Sequence, residues 1–147
     1  MFGFFKKVKK EAINAGRRDL MQAVVAGSLL VAYADGECED SEITKMNNII
    51  SATPELSAFG SELSKTISEY RRQLDADFQV GKLRMRRELR DIDASEDDKA
   101  LVFTIMCAIA RADGTIEKAE EKVLREVAAD LGINTDDYDV NATEDEA

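Results

Sequence analysis

The stretch AYADGECEDSE (residues 32–42) follows a long apolar run and recurs further along the chain as ARADGTIEKAE (residues 110–120). In both copies an Ala-Asp-Gly turn is followed by glutamates at the same two offsets from the Asp. Glycine reaches the left-handed conformation at a helix end without steric cost, so each turn is expected to end one helix and lead into the next. The matching units, residues 28–50 and 106–128, predict an internal duplication of a helix–turn–helix element.

Composition and periodicity extend this prediction to the whole chain. The 147 residues are 44% apolar and 34% charged, which is typical of one soluble globular domain. One proline and no tryptophan favour helix over a β-sandwich, and no run alternates with period two over a useful length. The sequence therefore predicts an all-α, single-domain bundle of about seven helices. The helices are expected at about 4–15, 18–34, 40–52, 55–74, 82–91, 95–112 and 118–131, with a turn at DADFQVGK (75–82).

The helical domain is placed at residues 1–140, with a basic amphipathic segment at 1–16 and an acidic tail, predicted to be disordered, at 141–147. The apolar residues of the start precede its positive ones, the wrong order for a signal peptide. The longest apolar run, residues 23–34, is too short to span a bilayer. A cytoplasmic protein is expected.

Charge and residue types exclude several classes of function. The net charge of -10 disfavours nucleic acid as a partner and is compatible with cations. Histidine is absent, which removes the commonest general base and most zinc sites. Cys38 and Cys107 have no metal-type spacing and are expected to be reduced thiols. No catalytic residue is predicted.

The acids of the two turns match half of an EF-hand loop. If Gly36 is the loop glycine, Glu42 falls at the final ligand position, but Val31 and Tyr33 occupy the first and third. Because calcium takes about six to eight oxygen ligands, a site would need the two turns to face each other and pool their acids. The candidate metal ligands are Asp35, Glu39, Glu42, Asp113, Glu117 and Glu120.

A structural role explains the same acids. The pairs Glu39-x-x-Glu42 and Glu117-x-x-Glu120 resemble capping boxes at helix starts. The alternative function is therefore a purely structural interaction domain whose acidic turns only cap helices.

Two basic segments have two interpretations each. Residues 2–10 fit a peripheral contact with anionic lipid, and they also fit a terminal helix docked on its own domain, which we favour. KLRMRRELR (82–90) fits binding to anions or an acidic partner, and it also fits a solvated helix face, again the favoured interpretation.

The basic start FFKKVKK, the two ADG units, the middle DADFQVGK and the ending LREVAADLGI together resemble the tellurite resistance protein TerB family, over about residues 2–140. The resemblance implies an all-helical duplicated domain, associated with tellurite resistance and with bacterial stress or phage defence. It implies a non-enzymatic protein whose six acids bind a divalent cation, calcium above all, with Asp40 and Glu121 as neighbours that could substitute. Partners are implied as well: other Ter-type proteins, including membrane-bound ones, which extends the expected location to the inner face of the membrane.

Two features depart from the family pattern. Lys118 puts a positive charge where the first copy has Asp40, which predicts a weaker second site. The acidic tail after Val140 is unlike the usual end of the family.

Overall fold

A computed structural model describes the backbone of residues 2–143 and the side chains of residues 17–143. Within these bounds the chain forms six α-helices and no strand, which confirms the predicted all-α class. The helices are α1 (Phe2–Ala32), α2 (Asp40–Ser51), α3 (Ser61–Ala76), α4 (Phe78–Arg90), α5 (Glu96–Ala110) and α6 (Lys118–Leu131). Single 3₁₀ turns lie at Ser57–Phe59 and Thr135–Asp137.

The first two predicted helices are one. The segments expected at 4–15 and 18–34 belong to the continuous helix α1, so the described residues hold six α-helices where about seven were predicted. Gly16 lies between the two segments in the sequence. An interior glycine costs a helix only about 1 kcal/mol relative to alanine, which a helix of this length tolerates.

The helix predicted at 55–74 begins later. Leu56 is fully buried ahead of the short 3₁₀ turn, and Gly60, with a φ of +51°, separates that turn from α3. Apolar residues continue at helical spacing through the break, which explains why the pattern alone did not locate it.

The turn predicted at DADFQVGK is wrong in extent, since a single residue joins α3 to α4. Asp77 caps α4, and its Oδ1 accepts a hydrogen bond from the Val80 N–H at 3.0 Å. Gly81 lies inside α4, where an added Cβ would come within 2.9 Å of the Leu74 Cα. The glycine therefore permits close packing of α3 on α4 and makes no turn.

Helix α1 forms the centre of the bundle, as its apolar sequence predicts. From Leu20 to Tyr33 every side chain except that of Gln22 is buried. A helix buried on all sides needs neighbours on all sides, and α1 contacts each of the other five helices, most extensively α5. The chain following α1 and the chain following α5 are thereby held side by side.

The C-terminal end of the described chain is tied to this core. Ser95 is the N-cap of α5 and its hydroxyl accepts a hydrogen bond from the Asp98 N–H at 3.1 Å, whereas α6 ends at Gly132, which has a φ of +71°. Beyond α6, the Thr143 N–H donates to the Ile116 carbonyl at 2.8 Å. Residues 144–147 of the predicted tail and the side chains of the segment 1–16 lie outside the described residues. No helix in the described part is long and apolar enough to cross a membrane.

Candidate functional site

The two Ala-Asp-Gly turns adopt the same local conformation. Gly36 and Gly114 have φ values of +93° and +91°. The Gly36 N–H donates to the Tyr33 carbonyl at 2.7 Å, and the Gly114 N–H donates to the Arg111 carbonyl at 2.8 Å. A positive φ explains why glycine follows the Asp in both copies. The predicted helix-ending turns are confirmed, whereas their origin by duplication stays a prediction.

Both turns lead into capping boxes. Glu39 is the N-cap of α2 and Glu117 is the N-cap of α6. Glu42 Oε1 accepts the Glu39 N–H at 3.2 Å, and Glu120 Oε1 accepts the Glu117 N–H at 2.8 Å. The capping role predicted for these acids is therefore confirmed. A carboxylate keeps further lone pairs after one such bond, so capping leaves room for a ligand.

The two matching units meet at a small cavity of about 20 Å³, which no residue of the first Asp-Gly turn lines. Glu42 comes to it from the first unit, and Asp113 and Glu120 come from the second. Ala32, Ile109 and Ala112 supply its apolar wall. A cavity of this size holds about one water-sized particle.

The other three predicted ligands lie outside this cavity. Asp35 is exposed, and its Oδ1 accepts the Glu37 N–H at 3.1 Å within its own turn. The N-caps Glu39 and Glu117 are exposed as well. Among the side chains that the structure describes, no group of three or more His, Cys, Asp and Glu residues is arranged to hold a metal ion. The described residues therefore place three carboxylates around a small cavity, but these do not form a preformed coordination shell for a metal ion.

A lysine that the sequence analysis did not single out neutralises part of this cluster. Lys45 lies one turn after Glu42 on α2, lines the cavity and forms an ion pair with Asp113. The bond to Asp113, followed by its negative charge, raises the pKa of the Lys45 ammonium. The available signal was the spacing of three residues between Glu42 and Lys45, which places both on one helix face.

Among the three acids of the cavity, Glu120 has the most strongly perturbed pKa. Burial raises the pKa of its carboxyl to about 7, and the charges of Glu117, Asp113 and Glu42 add to the shift. The hydrogen bond from the Glu117 N–H opposes it. A half-buried carboxylate among like charges is stabilised by a proton or by a cation.

The two residues expected to substitute as ligands are held by arginines. Asp40 Oδ1 lies 3.3 Å from an Arg71 guanidinium nitrogen, and Glu121 Oε2 accepts from Arg125 Nε at 2.8 Å. Arg71 Nε also donates to the Tyr33 hydroxyl at 3.3 Å. Both carboxylates are therefore paired with arginines, and neither residue lines the cavity.

Residues 21–142 match the sequence model of a family described as tellurite resistance protein TerB. The chain belongs to the TerB family. The match covers the buried part of α1, both acidic turns and α6, so the chain carries a tellurite resistance-type domain and the resemblance noted in the sequence is confirmed. No curated protein and no solved structure matches the chain.

Proposed function

We propose that this TerB protein is a non-enzymatic component of tellurite and stress resistance that binds a divalent cation between its acidic turns and acts through protein partners. Calcium is the first candidate cation. The observation that carries the proposal is the cavity where Glu42 of the first unit meets Asp113 and Glu120 of the second, with the Lys45 ammonium already beside Asp113.

The proposed binding step is an exchange of cations. Calcium takes about six to eight oxygens, so three carboxylates need backbone carbonyls or waters to complete its shell. Entry of the ion requires Lys45 to leave Asp113. The ion would compensate both the burial of the Glu120 carboxylate, which is the main cause of its raised pKa, and the repulsion from its acidic neighbours, which adds to it. The bound ion would then tie α2 to the turn before α6. Asp35, Glu39 and Glu117 join the site only if the turns rearrange.

Several observations support the rest of the proposal. Burial raises the pKa of Cys38 to about 12 and that of Cys107 to about 11, which makes both thiols poor nucleophiles. A net charge of -10 argues against nucleic acid. We propose other Ter-type proteins as partners, membrane-bound ones among them, and a cytoplasmic location that extends to the inner face of the membrane through those partners.

A calcium titration of thermal stability tests the cation site. After EDTA treatment, calcium at about 100 times its Kd should add about 2.7 kcal/mol to the free energy of unfolding. The inner triple variant Glu42→Gln/Asp113→Asn/Glu120→Gln should lose this gain while keeping side chains able to cap. The outer triple variant Asp35→Asn/Glu39→Gln/Glu117→Gln removes the same charge and should keep it.

The lysine supplies a second readout in the same titration. Lys45→Met removes the competing ammonium and should tighten calcium binding by roughly threefold to tenfold, whereas Lys65→Met on the exposed face of α3 should not. If calcium, magnesium and EDTA leave the melting temperature of the wild type unchanged, the turns only cap helices. If the outer triple variant alone loses the response, the site lies at the exposed acids.

A further inference from the structure

The outward face of α4 carries an unusual pair of side chains. Val80 and Leu83 are 50% and 49% exposed, and no other large hydrophobic side chain between residues 17 and 143 is so exposed. Arg84 and Arg87 continue the row at helical spacing and are exposed too. We call Val80, Leu83, Arg84 and Arg87 the α4 stripe. The opposite face of the helix buries Gly81, Met85 and Leu89 in the core.

The basic residues of α4 divide into two sets. Arg86 binds Asp130 of α6 through two hydrogen bonds of 2.8 and 3.0 Å, and Arg90 reaches the same carboxylate at 3.3 Å. Lys82 lies 3.5 Å from Glu126. Arg84 and Arg87 form no ion pair with any described residue, although acids outnumber bases by 30 to 20 along the chain. The fold therefore uses one set internally and leaves the other facing solvent.

We propose that the α4 stripe docks an amphipathic helix of an acidic protein partner. Two apolar side chains of that helix, one turn apart, lie against Val80 and Leu83, and flanking Asp or Glu residues pair with Arg84 and Arg87. Guanidinium groups suit this role because they bind carboxylates in a bidentate manner. The inference deepens the partner part of the proposed function and needs no cation.

The charge of the surface favours this occupant over three others. Binding to an anionic membrane gains only about 1 kcal/mol of free energy for each basic residue near the surface. Two arginines are therefore too few to anchor a chain of net charge -10. Nucleic acid would set its phosphates against Val80 and Leu83, which offer them no hydrogen bond. A second copy docked through its own stripe would bring arginines against arginines.

Selection from a displayed library of randomised helices of about 18 residues tests the proposal. The wild-type chain is the bait, in EDTA, so that the cation site has no part in the result. Enriched helices should combine acidic residues with apolar residues spaced three or four apart. Their amide chemical-shift changes on the labelled chain should map to α4.

Two surface variants and a matched control test whether the residues of the α4 stripe bind the selected helix. Val80→Ser/Leu83→Ser and Arg84→Glu/Arg87→Glu should each weaken a selected helix at least about tenfold, because they remove the apolar and the charged half of the interface. Lys65→Glu/Lys122→Glu makes the same change in net charge at exposed positions and should leave binding intact.

Other outcomes overturn the proposal. The proposal is wrong if the enriched helices lack the acidic and apolar pattern, or if the chemical-shift changes map away from α4. It is also wrong if the wild-type bait enriches no helix over the Arg84→Glu/Arg87→Glu bait. Stripe-dependent binding to phosphatidylcholine–phosphatidylglycerol vesicles without any selected helix makes the stripe a lipid surface instead. A calcium response with a failed selection overturns docking alone, and the reverse result overturns the cation site alone.

Discussion

Cys38 lies half-buried among the acids of the first turn, where burial, and after it the charge of Glu42, raises the pKa of its thiol to about 12. Because the thiolate is the reacting form, iodoacetamide at pH 8 should alkylate native Cys38 at least about 100-fold more slowly than the urea-unfolded chain. Glu42→Gln should accelerate Cys38 and leave Cys107, which is buried elsewhere, unchanged. Mass spectrometry of the two cysteine peptides measures both rates. Alkylation of native Cys38 at the unfolded rate would contradict the expectation.

At the scale of single residues, the sequence correctly predicted the roles that depend only on neighbouring residues, namely the turn glycines and the capping glutamates. The glycines with positive φ and the capping glutamates act within a few residues of themselves, so their offsets from the Asp were sufficient. The pairing of Lys45 with Asp113 joins residues 68 positions apart and depends on how the helices pack. Which three of the six acids line the cavity depends on the same packing, and neither fact is encoded in a local pattern.

At the scale of the helices, the close contact between α3 and α4 depends on Gly81 having no side chain. A Cβ at Gly81 would meet the Leu74 Cα at 2.9 Å and the Gln73 carbonyl at 3.1 Å, both of them backbone atoms. Gly81→Ala should therefore lower the free energy of unfolding by about 1–3 kcal/mol, despite the better helix propensity of alanine. Urea denaturation measures the loss.

Gly27 provides the matched control for this substitution. It lies in α1, and its added Cβ would first meet the sulfur of Met106, a flexible side chain that can shift. Gly27→Ala should change the free energy of unfolding by less than about 1 kcal/mol. If the two variants lose equal stability, the close approach of α3 and α4 is not what Gly81 provides.

The helix boundaries show the same division between local and tertiary signals. Ser95 caps the start of α5 by a hydrogen bond, and Gly132 ends α6 by its backbone geometry. Both signals act within one turn of the helix, and the sequence predicted both boundaries. Glycine occurs both in turns and where two backbones pack closely, so the sequence alone placed Gly81 in a turn. Only the position of Leu74 in the fold shows that Gly81 permits close packing. Gly16 lies between the helices predicted at 4–15 and 18–34, although α1 continues through it.

At the scale of the whole molecule, the raised pKa of Glu120, about 7, makes stability depend on pH in a definite direction. The native state keeps a proton on this carboxyl up to about pH 7, whereas the unfolded state loses it near the ordinary glutamate pKa of 4.5. Between these values the native state binds more protons, so the free energy of unfolding falls as pH rises. Urea denaturation in EDTA at several pH values between 4.5 and 8 should show this fall.

Glu120→Gln should flatten this dependence, because glutamine keeps the capping hydrogen bond without the titrating group. Glu55→Gln, at an exposed position that does not line the cavity, should keep the wild-type slope. Burial also raises the pKa of Glu88, but that residue is unchanged in all three proteins, so the difference between the curves isolates Glu120. Parallel curves for wild type and Glu120→Gln would show that the carboxylates around the cavity do not strain the fold. In that case the energetic reason for a cation to bind between the two turns would be lost.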